Sequence, residues 1–272
     1  MEIKAADVMK LRKATNAGMM DCKKALIEAE GDFDAAVDII RKKGLAIAAK
    51  RADREAKEGC VIAVANGNKG VVVSLNCETD FVAKNEGFIA LTKKIAELAL
   101  ENMPADLEAL LALQMDGRAV ADIVSEQTGV IGEKIELSFY NKIEAEDTVA
   151  YIHPGNKLAT VVGFNKVADE VAKKDVAMQV AAMAPISVSE ADVPADIREH
   201  ELKIGREKAR EEGKPEAMLD KIAEGRLNRF FKDSTLLNQD FIKDGKMSVK
   251  AYLQSIDKDL TVTGFIRFTL NA

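Results

Sequence analysis

Apolar residues recur at helical spacing in three short runs near the start of the chain: Val8 and Leu11, then Cys22, Leu26 and Ala29, then Phe33, Val37 and Ile40. Between them Thr15-Asn16-Ala17-Gly18 is turn-forming, and Gly31-Asp32 closes one helix and caps the next. Gly44 suits a left-handed C-terminal cap, so residues 1–44 are expected to form a three-helix unit. Residues 45–58, rich in Ala, Lys, Arg and Glu with little apolar face, read as a solvated helical linker.

The period then shifts to that of strands. Cys60–Ala65 and Gly70–Cys77 are runs of β-formers on either side of Asn66-Gly67-Asn68-Lys69, a hairpin signal. Phe88, Leu91, Ile95 and Leu98 return to helical spacing behind an Asn85-Glu86 cap, residues 107–127 look helical throughout, and Ile135, Leu137 and Phe139 alternate as a half-buried strand does. A second hairpin and helix follow in the same order: Thr148–His153, the Pro154-Gly155-Asn156-Lys157 turn, Leu158–Phe164, and a helix through Val171, Val176 and Val180. The pattern predicts an α+β protein with two similar core subdomains on antiparallel sheets.

The second subdomain is interrupted. Pro185 closes its helix, Pro194 opens another, and residues 195–231 form two charge-rich helical stretches around Glu212-Gly213-Lys214-Pro215. Ile197, Leu202, Ile204, Leu219, Ile222 and Leu227 supply a narrow seam and no globular core, so this helical hairpin is expected to project into solvent. Thr261–Leu270 then alternates Ile266, Phe268 and Leu270 against Phe265, Arg267 and Thr269, and a strand this late must join an earlier sheet. The expected division is 1–44, linker 45–58, first core subdomain 59–141, second core subdomain 142–186 with 232–272, and inserted hairpin 187–231.

Composition narrows the function. Across 272 residues, 31% are charged and the net charge is −6, which lacks the basic footprint of a phosphate-backbone binder and argues against direct nucleic-acid contact. No window holds the roughly 18 consecutive apolar residues that a membrane span needs, and the N-terminus has no basic-then-apolar leader, so a cytosolic protein with no membrane contact is expected. Cys22, Cys60 and Cys77 are odd in number and widely spaced, a poor disulfide framework and a poor zinc site.

Catalytic chemistry is hard to find. The chain has no phosphate-binding glycine motif, and His153 and His200 lack metal-ligand spacing, so no cofactor is expected. His200 reads as a solvated helix residue and His153 as a turn residue. Two features stand out. Thr79–Lys84 falls outside both the strand and the Asn85-capped helix, yet carries Phe81 and Val82. Either Thr79 or Asp80 caps an early helical turn with Phe81 folded back as a hydrophobic staple, or Phe81 is an aromatic anchor offered to another protein. Met19 and Met20, with Arg12 and Lys23 nearby, either pack into the small helical unit or present an adaptable binding edge. Pattern leaves both pairs of readings open.

Several motifs resemble the bacterial translation elongation factor Ts family. They are Leu11-Arg12-Lys13-Ala14-Thr15 with Gly18-Met19-Met20-Asp21-Cys22-Lys23-Lys24-Ala25-Leu26, and Asn76-Cys77-Glu78-Thr79-Asp80-Phe81-Val82-Ala83-Lys84. Tyr151-Ile152-His153, Gly213-Lys214-Pro215, Glu224-Gly225-Arg226 and Thr263-Gly264-Phe265-Ile266-Arg267-Phe268 follow in the family's order. The resemblance implies a ubiquitin-associated-like N-terminal domain, the two-subdomain core and an inserted antiparallel coiled coil. It also implies a partner, the GDP-bound form of the GTPase elongation factor Tu, and a guanine-nucleotide exchange function without covalent chemistry. Carried over by position, Thr79, Asp80, Phe81 and Val82 match the segment that dislodges the partner's Mg²⁺. Arg12, Met19, Met20 and Lys23 match the N-terminal contact, and His153 a core contact. Asn16 and Ser74 depart from the family's usual residues, both away from the Phe81 segment, and self-association through the hairpin stays open.

Overall fold

The computed structural model describes residues 3–15 and 17–270. Helices α1 (Ala5–Thr15), α2 (Met19–Glu28) and α3 (Phe33–Arg51) pack around Leu11, Cys22, Leu26, Ala36 and Ile40. Asp32 starts α3 by accepting the Ala35 N–H at 2.9 Å. The expected turn Thr15-Asn16-Ala17-Gly18 includes Asn16, which lies outside the described residues.

Strands β1 (Glu58–Asn66) and β2 (Lys69–Cys77) pair antiparallel, with Asn66 opposite Lys69 and Gly67-Asn68 as the loop. Gly67 has φ 59°, a conformation that glycine adopts without a Cβ penalty. A single helical turn, α4 (Asp80–Ala83), precedes α5 (Glu86–Asn102), which begins where Asn85 accepts the Gly87 and Phe88 N–H groups. There follow α6 (Leu107–Ala112), the two-residue strands β3 (Gln114–Met115) and β4 (Arg118–Ala119), α7 (Val120–Ile131) and β5 (Glu136–Glu144). Strand β5 joins β2, giving the order β1-β2-β5.

The second sheet has the order β10-β7-β6, built from β6 (Asp147–Ile152), β7 (Leu158–Phe164) and, after a long excursion, β10 (Val262–Thr269). The excursion comprises α8 (Glu170–Met183), α9 (Ala195–Glu211), α10 (Leu219–Ser234), the short hairpin β8 (Asp240–Phe241) and β9 (Asp244–Ser248), and α11 (Val249–Ile256).

Alternation along the strands sets the layering. One face of each sheet meets the other sheet through Val61, Ala63 and Val72 against Ala159, Val161 and Ile266, with the Phe139 and Phe268 rings stacked at 4.0 Å. The outer face of the first sheet presents Val71, Val73 and Leu75 to Phe88 and Ile95 of α5. That of the second presents Val162 and Phe164 to Val176 and Val180 of α8 and Leu253 of α11. The buried residues of β2 thus alternate between the layer shared by the two sheets and the layer under α5, which explains the near-continuous burial of Val71–Leu75.

Three expectations need correction. No C-terminal cap forms at Gly44: α3 runs on to Arg51, and Gly44 is buried inside it because Gly129 of α7 packs against it. Residues 107–127 are not one helix; Asp116 and Gly117, both with positive φ, turn the chain between β3 and β4. The early helical turn, one of the two readings of Thr79–Lys84, does form, as α4. In the α9–α10 hairpin the contact is made by small residues, Gly205, Ala209 and Ala223, with Leu219, Leu227 and Phe231, while Ile197, Leu202, Ile204 and Ile222 are only partly buried. A Cβ on Gly205 would sit 3.0 Å from the Ala223 Cα, so close helix approach at small residues supplements the expected seam, of which Leu219 and Leu227 are buried and Ile197 and Leu202 pack beside Leu227 and Phe231.

Candidate partner-binding site

Phe81 is 83% exposed, the most solvent-accessible large apolar side chain among the described residues. It is exposed because it occupies the outer side of a turn whose inner side is Ala83, buried in the first core layer with Val82 partly packed behind it. The hydrophobic staple weighed above is therefore absent. Thr79 does not cap the turn through its hydroxyl either. That hydroxyl donates instead to Glu133 Oε1 at 2.6 Å, and the Glu78 and Thr79 N–H groups donate to Glu133 Oε2 at 3.1 and 3.0 Å. From the other side the Cys77 thiol, pushed up to about 12 mainly by burial, donates to the Thr79 carbonyl at 3.1 Å.

Asp80 is paired with Lys84 at 2.6 Å, one helical turn on, and this hydrogen bond holds its carboxyl below the ordinary aspartate range. A carboxylate engaged in this way is an acceptor and a positioning charge, a poor proton-transfer base. Lys157 also acts electrostatically on Asp80 and forms an ion pair with Glu58 at 2.7 Å. The β6–β7 loop thus lies on the same side of the core as the turn. His153 belongs to that loop, is exposed, and shares a 3.1 Å hydrogen bond between its Nδ1 and the Tyr151 hydroxyl. Beside Phe81 a groove of about 610 Å³ opens, lined by Val82, Asn85, Phe88, Gln127, Val130 and Glu133 among others.

The second group of expected contact residues stands apart, on the three-helix unit. Met19 and Met20 are 50% and 64% exposed in the first turn of α2, with Lys23 exposed one turn on and Arg12 exposed on α1. Neither methionine joins the small core, which α2 fills with Cys22, Ala25 and Leu26. The two groups are linked through α3, whose last residue, Arg51, binds Glu78 Oε1 at 2.7 Å at the entry to the turn. Glu133 was not singled out by sequence, since nothing local marks the residue after Gly132 as the partner of a turn so far back in the chain.

Among the described residues the core thus presents an exposed ring at Phe81 and the three-helix unit an exposed methionine pair at Met19 and Met20, and no group of three or more His, Cys, Asp or Glu that could hold a metal ion is present. The family model described as elongation factor TS matches residues 78–272, beginning one residue before Thr79. Along the whole chain, 52% of residues are identical to the elongation factor Ts of Porphyromonas gingivalis over 273 residues, covering 100% of both chains. The chain belongs to the elongation factor Ts family. Other members include the proteins of Christiangramia forsetii, 53% identical over 99% of both chains, and Phocaeicola vulgatus, 40% identical over 100% of both. The chain is thus a translation elongation factor of the Ts type with a mixed helix and antiparallel-sheet fold, and no helix among its described residues is long and apolar enough to cross a membrane.

Proposed function

We propose that this member of the elongation factor Ts family acts as a guanine-nucleotide exchange factor in the cytoplasm. It binds the GDP-bound form of elongation factor Tu, dislodges that partner's Mg²⁺ and promotes GDP release during polypeptide elongation, with no covalent chemistry and no cofactor of its own. The observation that carries the reading is the 83% exposure of Phe81 on a turn tied down on its inner side. Mg²⁺ holds near-octahedral oxygen geometry, so displacing a partner element by the thickness of an inserted ring spoils its ligand set and weakens phosphate retention. Thr79 and Val82 seat the turn, Asp80 orients it, and Phe81 is the wedge.

Arg12, Met19, Met20 and Lys23 give a second grip from the three-helix unit, and His153 a third from the core. The division into an N-terminal ubiquitin-associated-like unit, linker, two core subdomains and inserted coiled coil assigns the first to docking and the core to exchange. Neither nucleic acid nor membrane is contacted directly, consistent with the net charge of −6. Self-association through the hairpin belongs to the same proposal.

The test is release of a fluorescent GDP analogue from purified elongation factor Tu with and without the protein. The wild type should accelerate release and Phe81→Ala should lose most of that acceleration; unchanged release would remove the wedge. An adaptor that docks only through the helical unit is the second reading, favoured by the exposure of Met19 and Met20. In a pull-down of the partner, it would make Met19→Ala with Met20→Ala decisive and Phe81→Ala silent.

A further inference from the structure

We infer that Glu133 is the positioning residue of the Thr79–Val82 turn, a role that rests on the exchange reading above. Its carboxylate takes three hydrogen bonds from two adjacent residues: the Glu78 N–H at 3.1 Å, the Thr79 N–H at 3.0 Å and the Thr79 hydroxyl at 2.6 Å. The connection runs both ways, because Glu78 Oε1 accepts the Lys134 N–H at 2.6 Å and Arg51 Nη1 at 2.7 Å. Two neighbouring residues on one segment and two on another thus exchange carboxylates for backbone amides.

The placement matters because of what the turn lacks. Helix α4 is four residues long, too short to be stable alone, and its cap residue contributes no side-chain cap. Phe81 itself packs on almost nothing. An exposed ring that must enter a partner at a set angle has to be fixed from behind, and the bonds that do this fall on the two residues where β2 passes into α4. A carboxylate bound by N–H and O–H donors forms charge-assisted bonds, roughly twice as strong as neutral ones. Holding both N–H groups and the hydroxyl at once leaves the peptide planes at Glu78 and Thr79 no free rotation. Glu133 sits just after Gly132, whose φ of 82° turns the chain sharply at the end of α7, so the clamp is anchored on a regular helix.

The experiment uses the full chain with Glu133→Gln and Glu133→Ala, the first guarding against a variant that fails to fold. Maximal GDP-release rate at saturating protein is separated from the half-saturating concentration, and amide hydrogen exchange is read at Glu78 and Thr79. A positioning role predicts a maximal rate lowered between about tenfold and about a hundredfold, the upper figure being the scale of about an ångström of misplacement. The half-saturating concentration should move less, since Met19 and Met20 still dock, and the Glu78 and Thr79 amides should exchange faster. Glu133→Asp should recover part of the rate. A merely structural role would lower thermal stability and leave the maximal rate per folded molecule intact. Wild-type maximal rates in both variants, or unaltered protection of both amides, would overturn the inference. If the wild type itself failed to accelerate release, the exchange reading would fall, and the amide protection alone would still decide whether Glu133 holds the turn.

Discussion

Gly44 and Gly129 meet backbone to backbone where α3 crosses α7, and the fit is one-sided. A Cβ built on Gly129 would fall inside van der Waals contact of the Gly44 Cα and 3.0 Å from its carbonyl carbon, whereas one built on Gly44 would stand 3.6 Å from the Gly129 Cα. Gly129→Ala must therefore push two helices apart and should cost about 1–3 kcal/mol, as overpacking does. Gly44→Ala should be neutral or gain up to about 1 kcal/mol, because alanine suits a helix interior better than glycine. Thermal unfolding of the two variants checks this; equal effects would contradict the geometry.

Phe81 and Phe88 lie one on each side of the Asn85 cap and have opposite energetic roles. Phe88 is 3% exposed in the first core layer, and Phe81 is 83% exposed. Phe88→Ala should cost about 3–5 kcal/mol through lost burial and a cavity. Phe81→Ala should change unfolding free energy by less than about 0.5 kcal/mol, as surface substitutions do. Denaturant titration of both would show it, and a large loss for Phe81→Ala would mean that its effect on partner binding reports folding.

Much of this fold was legible because its signals are local. Asn66-Gly67-Asn68-Lys69 announced the first hairpin, Asn85 the start of α5 and Asp32 that of α3, and each forms where expected since the cap or turn needs only residues within a few positions. Gly44 misled because a glycine after a helical run looks the same whether it caps the helix or makes room for a distant one, and Gly129 decided the matter. The start of α9 was legible from Pro194, and Leu219 and Leu227 of the α9–α10 contact from their spacing; Gly205, Ala209 and Ala223 were not, since small residues in a charged helix carry no hydrophobic period. At the candidate site, the break in periodicity marked Phe81 as lying outside the long regular elements. Its outward orientation was illegible, because that depends on Glu133 and Ala83 holding the other side of the turn.

Glu78 should shape the acid limb of stability. The Lys134 N–H, followed by Arg51, holds its carboxyl below the ordinary glutamate range. A carboxyl depressed in the folded state binds fewer protons there than in the unfolded chain. Its contribution is thus present above the unfolded pKa of about 4.3 and is lost as pH falls through the lower folded value. Glu78→Gln should lower the urea midpoint at pH 7, and the gap to wild type should close as pH drops from about 5 towards 3. A gap that stays constant over that range would show that the carboxylate charge plays no part.

Lys173 in the first turn of α8 is buried against Asp147 at the start of β6, with Nζ 2.8 Å from Oδ2 and side chains 6% and 8% exposed. Asp147 also accepts the Thr148 and Ala168 N–H groups at 3.0 and 3.1 Å, so its charge is shared among donors from the strand, the helix and the loop between them. Sequence gave no hint of this, since a lysine on a charged helix reads as a solvated residue. Glu170, 2.6 Å from the same ammonium but 81% exposed, is screened by water and should matter little, under about 1 kcal/mol on removal. Lys173→Met is different: it leaves Asp147 charged and buried without its counter-ion and should cost about 3–5 kcal/mol. Adding Asp147→Asn to that variant removes the stranded charge and should return part of the loss. If the double variant were as unstable as the sum of the two single ones, the two side chains would be uncoupled, and the pair would not be what pins α8 to the second sheet.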